Sequence, residues 1–152
     1  MPPDHKRYME AALAEARNAA AHGEIPVGAV IVDVKTGDVI AAAGNETEHE
    51  HNPTAHAEML AIARACRAVG APRLPTCDIY VTLEPCPMCA AAISFARLRR
   101  VYFGAYDPKG GGVEHGPRIF SHATCNHKPE VMGGIDEREC AQLLKDFFKE
   151  RR

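Results

Sequence analysis

Two short motifs constrain this chain more than anything else in it: His56-Ala57-Glu58, and, beginning 27 residues after Glu58, Pro85-Cys86-Pro87-Met88-Cys89. Thiolate and imidazole are the ligands that zinc prefers in a tetrahedral shell. Cys86 and Cys89 stand three apart at the start of a predicted helix, so both sulfurs lie on one face of its first turn. The free N–H groups and positive dipole end there favour thiolate over thiol. His56 falls in the first turn of another predicted helix. Two adjacent helices starting at the same sheet edge bring all three groups to one ion, and two thiolates with a neutral imidazole cancel the charge of a divalent cation.

The ligand count decides what such an ion does. A structural zinc closes its shell with four protein ligands, usually from two CxxC-like pairs. This chain has one such pair and one well-placed histidine. Three protein ligands leave a position for water, which then becomes a nucleophile at neutral pH. Glu58 follows His56 too closely to be a comfortable second ligand from the same turn, and is instead the candidate proton carrier. A thioredoxin-like redox pair at Cys86 and Cys89 leaves His56 and Glu58 unexplained. A purely structural zinc, completed by a scattered Cys or His, is the other alternative.

The remaining pattern is α/β. Apolar residues recur at helical spacing from Tyr8 to about His22, and Val27–Val34 reads as a buried strand. Lys35-Thr36-Gly37-Asp38 signals a hairpin turn, with Val39–Ala43 as the returning strand. A polar loop covers Gly44–Pro53. Thr54 is then placed to cap a helix over Ala55–Val69, stopped by Gly70-Ala71-Pro72. Asp78–Leu83 is a third strand, Pro85 opens a third helix to about Ala96, and Val101–Ala105 is a fourth strand. A Gly-rich loop (Asp107–Gly112) and an irregular stretch through Pro129 lead to a last amphipathic helix, Glu137–Lys149. Strands alternating with helices predict an α/β sandwich around a mixed sheet, in one domain over 1–152.

Composition excludes more than it selects. Of 152 residues, 46% are apolar and 25% charged, ordinary for a globular chain, and a net charge of −2 argues against coating nucleic acid by charge alone. No apolar run suits a membrane span, and Met1-Pro2-Pro3-Asp4-His5-Lys6 lacks the apolar core of a secretion signal, so a cytoplasmic protein is expected. Cys66, Cys77, Cys125 and Cys140 read as small buried hydrophobes. His49, His51, His115, His122 and His127 fall in loop-like segments, solvent-facing or hydrogen-bonded, with one of them a candidate to line a pocket. Arg97, Arg99 and Arg100 end a predicted helix. They and Lys145, Lys149, Arg151 and Arg152 are either dipole-favoured and solvated charges or phosphate contacts.

The two motifs together match the H-x-E…P-C-x-x-C signature of zinc deaminases. With them stand Glu24-Ile25-Pro26-Val27-Gly28-Ala29-Val30, Gly44-Asn45, Pro53-Thr54, Tyr80-Val81-Thr82-Leu83-Glu84, Phe103-Gly104-Ala105, Asp107-Pro108-Lys109-Gly110-Gly111, Asn126-His127 and Asp146-Phe147-Phe148. On these blocks the chain, from about Tyr8 onward, resembles the bacterial tRNA-specific adenosine deaminases. The resemblance implies a cytidine-deaminase-like fold, a three-layer α/β/α sandwich on a mixed, roughly five-stranded sheet, and a homodimer. It implies one zinc ion on His56, Cys86 and Cys89, with Glu58 catalytic, and hydrolysis of adenosine to inosine at the wobble position of a tRNA anticodon stem-loop, the base flipped out for attack at C6. It places Asn45 and a backbone group of Glu84 against the base, Val27 in the pocket wall, Asp107 beside the neighbouring nucleotide, and Phe147 and Phe148 on a helix near the RNA. The chain departs from many relatives over Gly112-Val113-Glu114-His115-Gly116-Pro117-Arg118, and carries Asn52 where Asp is frequent. A deaminase of free bases or nucleosides is the alternative enzyme, and an RNA-binding protein with structural zinc the non-catalytic one.

Overall fold

In the computed structural model, residues 4–151 are described; the first three residues and Arg152, with the reading of Arg152 as an RNA contact, lie outside them. Five strands, β1 (Gly28–Asp33), β2 (Val39–Gly44), β3 (Cys77–Leu83), β4 (Arg100–Ala105) and β5 (Glu130–Met132), form one sheet in the order β2-β1-β3-β4-β5. β1 is antiparallel to both β2 and β3, whereas β3, β4 and β5 are parallel. Helices α1 (His5–Ala21) and α4 (Glu137–Glu150) cover one face, and α2 (Ala57–Val69) and α3 (Pro87–Phe95) the other. This is the expected three-layer sandwich on a mixed sheet.

Strand alternation explains the two cores. Val30, Val32, Tyr80 and Tyr102 point to the α1–α4 side, where they meet Met9, Ala12, Leu13 and Cys140. Ala29, Ile31, Ile79, Val81, Val101 and Phe103 point the other way, onto Ala57, Ala61 and Ala65 of α2 and Ile93 of α3. Central strands buried on both faces are mostly apolar, as covered parallel and mixed sheets require; in β3 the buried Asp78 and Thr82 are hydrogen-bonded, to Arg99 and to Gly28 N. The alanines of α2 recur every four residues, so this helix meets the sheet along a stripe of small side chains.

Several local expectations need correction. Thr54 does not cap α2. Its N–H and hydroxyl both donate to Asn52 Oδ1, and the N-cap is His56, without a side-chain cap bond of its own. α3 starts later than read: Cys86 is the N-cap and Pro87, rather than Pro85, takes the first helical position. β5 lies just past the stretch read as irregular, in residues assigned to no element, because a three-residue edge strand offers too few residues to show alternation. Cys66 and Cys125 are only partly buried, unlike Cys77 and Cys140. Arg99 and Arg100 belong to the approach and start of β4 and not to a helix end; Arg99 makes a two-pronged pair with Asp78 (2.9 and 2.8 Å), and Arg100 lies 3.0 Å from Glu130.

Gly28 and Gly44 are cross-strand partners, and α1 lies almost directly on them. A Cβ at Gly28 would stand 2.6 Å from Ala16 N and 2.9 Å from Glu15 Cβ, and closer still to Ala12 O. Helix backbone cannot withdraw without disturbing Leu13 and Met9. We expect Gly28→Ala to lower stability by about 1–3 kcal/mol, read as a lower denaturant midpoint; an unchanged midpoint would contradict this contact.

Candidate active site

Because β2 and β3 each run antiparallel to β1, they run parallel to each other, and their C-terminal ends share one edge of the sheet. α2 follows β2 after a loop, and α3 follows β3 directly, so both helices begin at that edge. Open α/β sheets bind ligands at the carboxyl ends of their strands for this reason. His56 at the start of α2 and Cys86 and Cys89 at the start of α3 converge there. His56 Nδ1 lies 3.6 Å from Cys86 Sγ and 3.5 Å from Cys89 Sγ. The three ligand atoms all lie within 4.8 Å of one another and form a group able to hold a metal ion.

Their protonation shows how tightly the group is coupled. A hydrogen bond from Cys89 and another from His56 bring the Cys86 thiol down to about 4, so it stands as thiolate. Cys89 is driven up, first by that same bond to Cys86 and then by burial, and keeps its proton. His56 is raised by its bond to Cys86. Glu58, in the first turn of α2 and 4% exposed, is pushed up to about 7 by burial. A carboxyl whose affinity for a proton matches neutral pH suits proton transfer.

These groups open into a cavity of about 500 Å³ lined by Val27, Asn45, His56, Glu58, Glu84, Cys86, Asp107 and Gly110, among others. Asn45 sits on its wall, and its Oδ1 accepts the backbone N–H of Ala57 at 2.8 Å. That bond supplies the cap Thr54 does not provide, and it ties Asn45 to the turn that carries His56. Phe148 and Tyr106 line an adjoining cavity that shares Ile25, Leu83, Asp107 and Gly110 with the first. Phe147 lies away from both; it is buried, edge-on to Phe148, and covered by the Arg151 guanidinium at 3.7 Å.

Two further residues hold the loops around this cavity: Glu24, given no role of its own in the sequence, and His115, one of the five loop histidines of which one is a candidate to line a pocket. Glu24 is buried, and its carboxylate accepts the backbone N–H groups of Glu48 and His49 (3.1 and 2.8 Å), pinning the Gly44–Pro53 loop. His115 pairs through Nδ1 with Glu84 Oε1 at 2.8 Å. A lone Glu among Gly, Ile and Pro carries no spacing signal, and His115 lies in the divergent segment.

Comparison with known proteins agrees with this geometry. A family model described as MafB19-like deaminase matches residues 3–152. A relative named tRNA-specific adenosine deaminase from Agrobacterium fabrum is 55% identical, over 98% of this chain and 97% of its own. A solved structure from a study of A-to-I editing by tRNA:A34 deaminases at the wobble position of transfer RNA superposes with a TM-score of 0.89 at 56% identity, covering 91% of this chain and 99% of that one. A guanine deaminase from Nitrosomonas europaea shares the fold (TM-score 0.80, 92% of this chain, 82% of that one) at only 21% identity. The chain belongs to the MafB19-like deaminases, among the tRNA-specific adenosine deaminases.

Proposed function

We propose that this chain is a zinc-dependent hydrolytic deaminase that converts adenosine to inosine at the wobble position of a tRNA. The observation that carries the reading is the convergence of His56, Cys86 and Cys89 at one mouth of a cavity in a chain 55% identical, nearly end to end, to a tRNA-specific adenosine deaminase. The three residues suit zinc on their own geometry. Bond lengths of about 2.3 Å to sulfur and 2.0–2.1 Å to nitrogen at tetrahedral angles put S and N about 3.5–3.6 Å apart, and the observed separations are 3.5 and 3.6 Å. Zinc held there supplies the Lewis acidity that makes water a nucleophile at neutral pH.

The chain's own residues do the rest. Glu58 takes a proton from the attacking water and delivers it to a ring nitrogen of the flipped adenine. It then carries the second proton to the departing amine, so that adenosine and water become inosine and ammonia. Val27 and Asn45 line the pocket, Glu84 meets the base through its backbone, and Asp107 stands where the next nucleotide would pass. Phe148, on the wall of the adjoining cavity, faces the path of the RNA, while Phe147 supports it from below and stacks beneath Arg151. We place the whole activity in one domain and in the cytoplasm; no helix among the described residues is long and apolar enough to cross a membrane.

A homodimer follows from the same reading, and an exposed apolar surface supports it. Phe95 at the end of α3 is 78% exposed, beside a groove lined by Ala91, Ile119 and Cys125. An exposed Phe flanking such a groove is costly unless covered. We expect Phe95→Asp to convert a dimeric mass to a monomeric one in light scattering; a wild-type monomer would remove the dimer from the account.

Purified protein should form inosine in an anticodon stem-loop carrying a wobble adenosine, and act poorly on free adenosine, cytidine and guanine. Glu58→Ala should keep its zinc and its fold while losing about 10²–10⁴-fold in rate, the usual span of general acid–base catalysis. Efficient guanine or cytidine turnover would sink the substrate assignment, and an active Glu58→Ala enzyme would sink the role of Glu58.

A further inference from the structure

Glu84 precedes the cysteine turn and is the most heavily hydrogen-bonded carboxylate among the described residues. Its side chain is fully buried, yet it faces a loop and not another element of the core. Oε1 accepts from Asp107 N at 3.0 Å and pairs with His115 Nδ1 at 2.8 Å. Oε2 accepts from Val113, Glu114 and His115 N at 3.2, 2.9 and 3.0 Å. Four backbone donors and one side-chain donor converge on one acidic group, which balances the cost of burying it.

The loop gathered in this way is the far wall of the cavity. Asp107 and Gly110 line it, and Asp107 Oδ1 accepts the N–H groups of Lys109 and Gly110, folding the rim into a tight turn. Past the rim the loop presses onto the metal-binding turn itself. Gly112 donates to Pro85 O at 2.8 Å, and a Cβ on Gly112 would lie 2.6 Å from Pro87 Cα and 2.8 Å from Cys86 C. A Cβ on Gly111 would lie 2.6 Å from Glu84 Cδ and 2.6 Å from Asp107 O. The ring of His115 also stands edge-on to Tyr106, whose side chain lines the adjoining cavity.

We propose that Glu84 and His115 are positioning residues for substrate recognition. The His115 imidazole locks the Glu84 carboxylate onto the backbone of the 107–115 loop, and thereby fixes Asp107 and Tyr106 against the nucleotide that adjoins the target base. The proposal rests on the reading of this cavity as the adenosine pocket. It assigns a purpose to the segment where the chain departs from many relatives: His115, from within that segment, closes the carboxylate's set of donors. Neither side chain takes part in the proton transfers, so the device acts on binding, and the chemical step at Glu58 is left as it is.

The test compares wild type with His115→Ala and His115→Asn; the Asn amide stands where Nδ1 stood and can donate to the same oxygen. The side chain of His115 is 35% exposed, so folding should survive either change. In His115→Ala, amides 113–115 should exchange hydrogen at least about tenfold faster, and KM for the wobble-adenosine stem-loop should rise about tenfold, the scale of one lost charge-assisted hydrogen bond. kcat and zinc content should stay near wild type, and His115→Asn should restore both readouts. Unchanged exchange, a KM that stays put while exchange quickens, or a defect confined to kcat would each overturn the proposal. If wild-type protein forms no inosine at all, the substrate reading fails, while the exchange comparison, which needs no turnover, still decides whether His115 anchors the loop.

Discussion

The structure depends on the direction of one strand. β1 pairs antiparallel on both sides, so its neighbours β2 and β3 run the same way and end at the same edge of the sheet. Every element of the site follows from that. The helix after β2 and the helix after β3 begin side by side, and their first turns are the only parts of them that combine free N–H groups with access to the edge. A histidine at one helix start and two cysteines at the other then meet at hydrogen-bond distance, although 30 residues separate His56 from Cys86. Hydrogen bonds from Cys89 and His56 favour thiolate at Cys86, and Glu58, two residues past His56 in the same turn, lies buried where it holds a proton readily.

The cavity walls are loops, and each is fixed by a buried glutamate. Glu24 holds the loop after β2, and Glu84 holds the loop after β4. Backbone N–H groups are the donors in both cases. A carboxylate can bind several of them at once, whereas apolar packing would leave those donors unpaired. Burying an acid is costly, but here it converts a flexible rim into a defined one without filling the cavity. Asn45 extends the same logic: one amide oxygen closes the start of α2, and the residue remains on the cavity wall.

Much of this was legible in the sequence, because the signals were periodic or chemically rare. The Val- and Ile-rich strands, the Gly70 stop of α2 and the His56, Glu58, Cys86 and Cys89 set are of this kind. What escaped was set by tertiary contact. Thr54 has the residue type of a cap, but Asn52 is nearer and takes both of its donors, while the cap bond to Ala57 comes from Asn45, twelve residues upstream. Pro85 and Pro87 are equally good helix openers by type, and only the position of the Cys86 turn separates them. β5 is visible solely through its pairing with β4. Glu84 belonged to the family blocks, yet its side chain's partners lie 23 to 31 residues ahead, and all but Asp107 fall in the segment that departs from many relatives.

Zinc at this edge would have three protein ligands and one position to spare. X-ray absorption at the zinc edge on the purified protein measures that shell directly. The expected result is one zinc per chain with two sulfurs at about 2.3 Å, one imidazole nitrogen at about 2.0 Å and one further light atom from outside the protein. A shell closed by four protein ligands, or a zinc with no sulfur neighbours, would contradict it.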